Sequence, residues 1–163
     1  MKKIVLFFAV LLGGIFLPKA QAQLLTEPQI NISAVTDSFP ANGIGIVMIQ
    51  ICNLGSDTIP AGKLRPQISV PVASVHIISA TNTDGSALDG FKIQSQTKGD
   101  IRLLYEKPLP GDGCVSFYVN ASTEAAKPGS LSMFGATLGF QGPQPMGNKP
   151  ANDNGVATIR VGN

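Results

Sequence analysis

Apolar and polar positions alternate along this chain in short runs, separated by glycine, proline, asparagine and aspartate, and that rhythm predicts strands. Residues 29–35 place Ile30, Ile32 and Ala34 on one parity, the period of two expected of a half-buried strand. Residues 37–43 form a turn by composition, because Pro40, Asn42 and Gly43 supply the fixed or positive φ angles that turns use. Residues 44–53 run almost continuously apolar, which predicts a central strand. Its Val47, Ile49 and Ile51 share one face, and Met48, Gln50 and Cys52 share the more polar one.

After breaks at residues 53–57 and 60–62, Ile68, Val70 and Val72 alternate as a third strand. Pro66 and Pro71 lie close to it, and a proline cannot donate to a ladder, so this strand is expected at an edge or a bulge. Residues 75–80 follow as strand, then a turn at 81–85. Phe91 and Ile93 mark a short strand and residues 101–105 another, with Lys98-Gly99-Asp100 as the hairpin turn between them. Beyond the break at 108–113, residues 114–121 alternate Val115, Phe117 and Val119 with Ser116 and Tyr118. Residues 122–126 have helical character for one turn. Residues 131–140 read as strand, weakened by Gly135 and Gly139. Residues 141–154 form a Gly/Pro/Asn loop long enough to be functional or mobile, and residues 156–161 close the chain as strand. Long helical periodicity is absent, so the class is all-β, with about seven to eight strands at sandwich-like spacing.

The first 22 residues break this rhythm. Lys2 and Lys3 precede an apolar run over residues 4–17, and Ala20-Gln21-Ala22 closes it with small residues. These are the three parts of a cleavable secretory signal peptide, with the cut expected between Ala22 and Gln23. The apolar run is short of the ~20 residues needed to span a bilayer, so an uncleaved anchor is disfavoured. No cysteine sits just after it, and a lipid-anchored form is not indicated. The expected organisation is a signal peptide over 1–22 and one β-sandwich domain over 23–163. The product is secreted or held at the cell surface, with no membrane span in the mature chain.

Removing that segment changes the charge. The whole chain has twelve basic and ten acidic residues, but Lys2, Lys3 and Lys19 leave with the signal, and the mature net charge is about −1. No Lys/Arg cluster remains to neutralise phosphates, which argues against a nucleic-acid partner.

Several pieces in this order resemble the conserved repeat domain of unknown function found in bacterial and archaeal surface proteins, an immunoglobulin-like sandwich. They are IVMIQICNLGSDT at 46–58, SVHIISAT at 74–81, LPGDGCVSFYV at 109–119, GSLSMFGATL at 129–138 and PANDNGVATIRV at 150–161. The family's Asp- and Gly-containing turn after the third strand is replaced here by Val70-Pro71-Val72-Ala73-Ser74. The resemblance implies an immunoglobulin-like antiparallel β-sandwich in a surface context, and it carries over no functional residue.

In such an arrangement the strand ending at Cys52 and the strand beginning at Cys114 are antiparallel neighbours. An oxidising compartment favours pairing these two cysteines, the only ones in the chain, as an adjacent-strand disulfide. Two buried free thiols are the alternative. The chain has no tryptophan to pack on a cross-core bridge.

Catalytic chemistry finds little support. His76 is the only histidine, with no nucleophile elbow, zinc-protease motif or paired-cysteine spacing beside it. Asp84, Asp89, Asp100, Glu106 and Asp112 are scattered over turns, unlike a hydrolytic carboxylate pair. A sugar-stacking platform would have only Tyr105 and Tyr118. Asn152-Asp153-Asn154 could offer oxygens to calcium, although such residues are ordinary turn formers. Asn31-Ile32-Ser33 and Asn120-Ala121-Ser122 match a glycosylation sequon but fall in expected strands. The expectation is a non-catalytic module for adhesion or envelope assembly, with a protein or cell-envelope partner and no cofactor. The alternative is a module that binds a glycan, a peptide or calcium through the loop at 141–154.

Overall fold

The computed structural model describes residues 25–124 and 126–162. The expected signal peptide and its Ala22–Gln23 junction lie outside the described residues. The strands in chain order are β1 (Pro28–Ala34), β2 (Ser38–Phe39), β3 (Ile44–Asn53), β4 (Leu64–Ser69) and β5 (His76–Thr81). They continue as β6 (Phe91–Gln96), β7 (Asp100–Tyr105), β8 (Cys114–Ser122), β9 (Leu131–Phe140) and β10 (Asn154–Val161). A single 3₁₀ turn at Pro150–Asn152 precedes β10.

These strands form two sheets, one in the order β1-β3-β8-β5 and one in the order β2-β10-β9-β4-β7-β6. All pairings are antiparallel except the short parallel contact of β2 with β10. The architecture is an immunoglobulin-like β-sandwich. Alternation decides which side chains meet between the sheets. Val47, Ile49 and Ile51 of β3 and Phe117, Val119 and Ala121 of β8 are buried on one side, and Ile68, Ile101, Leu103, Phe134, Ala136 and Ile159 on the other. In place of a tryptophan, Phe91 packs between Tyr105 and Phe117, with both ring-centroid distances 4.7 Å.

Two expectations change. The strand with Pro66 starts earlier than the Ile68–Val72 alternation suggests, and it is not an edge, since it lies between β9 and β7. Proline is tolerated there because β7 pairs only with Gln67, Ile68 and Ser69, so Pro66 stands beyond the end of that ladder while β9 runs along the whole strand. Within the expected turn at 37–43, Ser38 and Phe39 form β2, and the Phe39 ring lies flush on Gly45, where a Cβ would stand 1.9 Å from it. The helical character at 122–126 is limited to one turn, as expected, in which the Ala126 amide donates to the Thr123 carbonyl.

Candidate functional site

The sequence-selected residues are mostly structural. Cys52 and Cys114 face each other across β3 and β8 and are joined by a disulfide, on the outer face of the four-stranded sheet. Cys52 is buried and Cys114 exposed. His76 opens β5, an outer strand of that sheet, and its Nε2 lies 3.0 Å from the Val72 carbonyl oxygen. Three of the five acidic residues named above are engaged separately. Asp84 accepts from the Ser86 amide, Asp89 pairs with Lys107, and Asp100 pairs with Arg102. Hydrogen bonding holds the exposed Asp84 and Asp89 carboxyls below their ordinary pKa. Among the described residues no three His, Cys, Asp or Glu side chains stand together in a metal-holding group.

The loop at 141–154 is fastened down. Lys149 forms an ion pair with Glu27, and Asn152 Nδ2 donates to the same carboxylate at 3.0 Å. Asn154 accepts from the Thr137 hydroxyl, so the three residues Asn152, Asp153 and Asn154 diverge instead of converging on one point. Asp153 turns inward and is 6% exposed. Asn148 Nδ2 donates to its Oδ2 at 2.8 Å, while Asp153 Oδ1 and Asn148 Oδ1 are buried without partners. Burial raises the Asp153 pKa, and the Asn148 hydrogen bond opposes that shift. An apolar cleft of about 220 Å³ lies between this loop's Pro143 and Pro145 and the Ile59–Pro60 segment.

The most distinctive surface is the outer face of the six-stranded sheet, which the sequence reading passed over. Strand parity sends Arg65, Gln67 and Ser69 of β4 outward, together with Arg102 of β7 and Arg160 of β10. These are all three arginines of the chain. From β9 the outward parity is Leu131, Met133, Gly135, Thr137 and Gly139. Leu131, Met133 and Val156 of β10 are 63%, 59% and 64% exposed. Gly135 lies opposite both Ser69 and Val156, and Gly139 opposite Arg65.

Neither glycine has a positive φ, and a Cβ at Gly139 would meet nothing closer than 3.4 Å, at Gly135 only the Ser69 hydroxyl at 3.2 Å. Backbone strain does not call for them. Their missing side chains leave two shallow depressions. An apolar one of about 310 Å³ is lined by Val70, Pro71, Met133, Gly135 and Val156. A mixed one of about 270 Å³, at Gly139, is lined by Arg65, Gln67, Gln94, Arg102 and Thr137 together with the apolar Pro66, Leu103 and Phe140. Arg65 is held through Nε on Gln94 Oε1 at 3.0 Å, and Arg102 through Nε on Asp100 at 3.2 Å, and both side chains are exposed. The available signal was that residues 131–140 are apolar or glycine on both parities, whereas a sheet with one wet face alternates cleanly.

No protein-family profile matches the sequence, and no curated protein is significantly similar to it. Solved structures do share its fold. A cohesin module from a Clostridium perfringens family 33 glycoside hydrolase aligns with TM-score 0.57 at 13% identity over 84% of this chain and 98% of that one. The sixth cohesin of Acetivibrio cellulolyticus scaffoldin B, solved in complex with a dockerin, aligns with TM-score 0.53 at 15% identity over 83% and 99%. A CARDB domain from Pyrococcus furiosus, solved with di-metal ions, aligns with TM-score 0.51 at 9% identity over 84% and 89%.

Proposed function

We propose that this chain is an exported, non-catalytic β-sandwich module that docks a protein partner at the cell surface, in adhesion or envelope assembly. The observation that carries this reading is the outer face of the six-stranded sheet. Exposed Leu131, Met133 and Val156 stand together there beside arginines, and clustered apolar surface of that kind marks interaction sites. The solvent-facing positions of such a sheet are ordinarily polar. An adjacent-strand disulfide suits an oxidising compartment. The scattered carboxylates, of which Asp89 and Asp100 are tied up in separate ion pairs, and the singly bonded His76 offer no acid–base pair for hydrolysis. The cohesin neighbours, one of them captured with a dockerin, supply an analogy for protein binding by this architecture.

The direct test is saturable binding of the labelled mature domain to intact cells of the source organism before and after protease shaving of their surface. Protease-sensitive saturable binding is the expected result. Absence of saturable binding, or turnover in a broad hydrolase screen that vanishes in His76→Ala, would overturn the reading.

A further inference from the structure

Resting on that reading, we infer that the outer face of the six-stranded sheet takes an extended, acidic protein segment, which seats an apolar side chain at Gly135 and a carboxylate at Gly139. The argument begins with the two glycines. Glycine inside a strand weakens it and exposes backbone, and it is retained where a bend, a bulge or the close approach of another chain requires it. The ladders of β9 with β10 and with β4 run without a register shift, so neither a bend nor a bulge accounts for Gly135 and Gly139. A Cβ at Gly139 would make an ordinary contact with the Arg65 carbonyl oxygen at 3.4 Å and one at Gly135 would meet only the Ser69 hydroxyl at 3.2 Å, so internal packing does not require glycine at either position. Close approach from outside is the remaining cause.

The linings of the two depressions then define the occupant. Around Gly135 the walls are Met133, Val156, Val70 and Pro71, which suits an apolar side chain. Around Gly139 the guanidinium groups of Arg65 and Arg102 flank Gln67 and Gln94, which suits a carboxylate. The complementarity is local. The mature chain is slightly acidic overall, yet this face carries Arg65, Arg102 and Arg160 against Asp100 alone on the same strands, and Asp100, which holds Arg102 and Gln67, offsets only one of the three. Four residues of strand separate the glycines, a span of about 13 Å, so an extended partner would present the two side chains about four positions apart on one of its own faces. A sugar acid would satisfy the arginines but leave the apolar half unused, which is why a protein segment is the better fit.

The experiment uses the mature protein and a soluble extended peptide with one leucine and one glutamate four positions apart in a Ser/Thr background, with a lysine-for-glutamate control. Binding is followed by amide chemical shifts. The leucine–glutamate peptide is expected to perturb β9, β4 and β7 and to weaken as salt rises. Gly135→Val, which points outward and raises strand propensity, is expected to keep the melting temperature and to lose binding by about tenfold or more. Arg65→Glu with Arg102→Glu is expected to invert the preference toward the lysine peptide. No shift at these strands, no preference between peptides, or binding unchanged in both variants would overturn the inference. So would a uronate polymer that binds equally well to Gly135→Val, or self-association through this face in sedimentation. In each of those cases protease-sensitive binding to cells would still stand or fall by its own measurement.

Discussion

At the scale of single residues, the most consequential polar group is Asn53, which the sequence presents only as the first member of an Asn-Leu-Gly-Ser-Asp turn. It is fully buried. Its Oδ1 accepts from the amides of Glu27 and Gly55, and its Nδ2 donates to the Asp57 carbonyl at 2.6 Å and to those of Leu109 and Pro110 at 3.3 and 3.2 Å. One side chain thus ties the entry of β1, the end of β3 and the turn before β8. Asn53→Ala leaves those buried groups without partners and is expected to cost about 3 kcal/mol in denaturant unfolding. A change within error would show that water replaces the amide. No periodicity encodes this role, because the partners are brought together only by the fold.

Asp153 gives a second residue-scale test. Its folded pKa is raised, chiefly by burial, so the folded state holds the proton more tightly than the unfolded chain. Its stabilising contribution is therefore fully present below the unfolded carboxyl pKa and is lost as pH rises through the folded value. Protonation also gives Asp153 a donor, next to the unpartnered Asn148 Oδ1. Asp153→Asn carries a donor at every pH. The melting temperature of the native protein minus that of Asp153→Asn should fall as pH rises from about 4 toward neutrality. A difference independent of pH would remove this account. Asp84 and Asp89, with lowered values, act in the opposite direction in both proteins and cancel in the comparison.

At the scale of elements, the strands bounded by glycine and proline breaks were legible almost to the residue. β3 and β9 occupy the predicted spans, and β8 extends one residue further. Local pattern failed where the neighbour mattered more than the strand. Pro66 argued for an edge, but only the far ladder decides whether its missing N–H is needed, and β7 stops short of it. Ser38 and Phe39 were read as turn because two residues hold no period, and their strand character comes from pairing with Arg160 and Val161 over a hundred positions away. The disulfide belongs to this scale as well. It joins the end of β3 to the start of β8 across a sequence separation of 62. Chain-entropy arguments assign a loop of that size about 4 kcal/mol, reduced by any residual structure in the unfolded state. Cys114→Ser is expected to lower the melting temperature by many degrees, and reduction of the native protein should do the same. Two thiols that label under denaturing, non-reducing conditions would contradict the bridge.

At the scale of the whole molecule, composition and strand rhythm were enough for the sandwich, because buried alternation on two sheets leaves few other ways to cover the apolar faces. The face proposed for docking was not legible, since it depends on which parity of β9 faces out and on what β4, β7 and β10 place beside it. The ends of the molecule carry the last prediction. Among the described residues the chain is held from Leu25, whose amide donates to Asp57 Oδ2 at 2.6 Å and whose carbonyl lies against Gly55, where a Cβ would stand 2.0 Å away. Thr26 is bonded to the Met146 carbonyl, and Glu27 to Asn53. A cut after Ala22 would leave Gln23 and Leu24 ahead of Leu25, the first of these held residues. Cleavage would also remove three positive charges and make the product slightly acidic, against which the three arginines of one face stand out as a local field. The exported protein is therefore expected to begin at or within two residues of Gln23. Intact mass and N-terminal sequencing of the extracytoplasmic product decide the matter, and a chain that still starts at Met1 in that fraction would refute both the cut and the charge argument built on it.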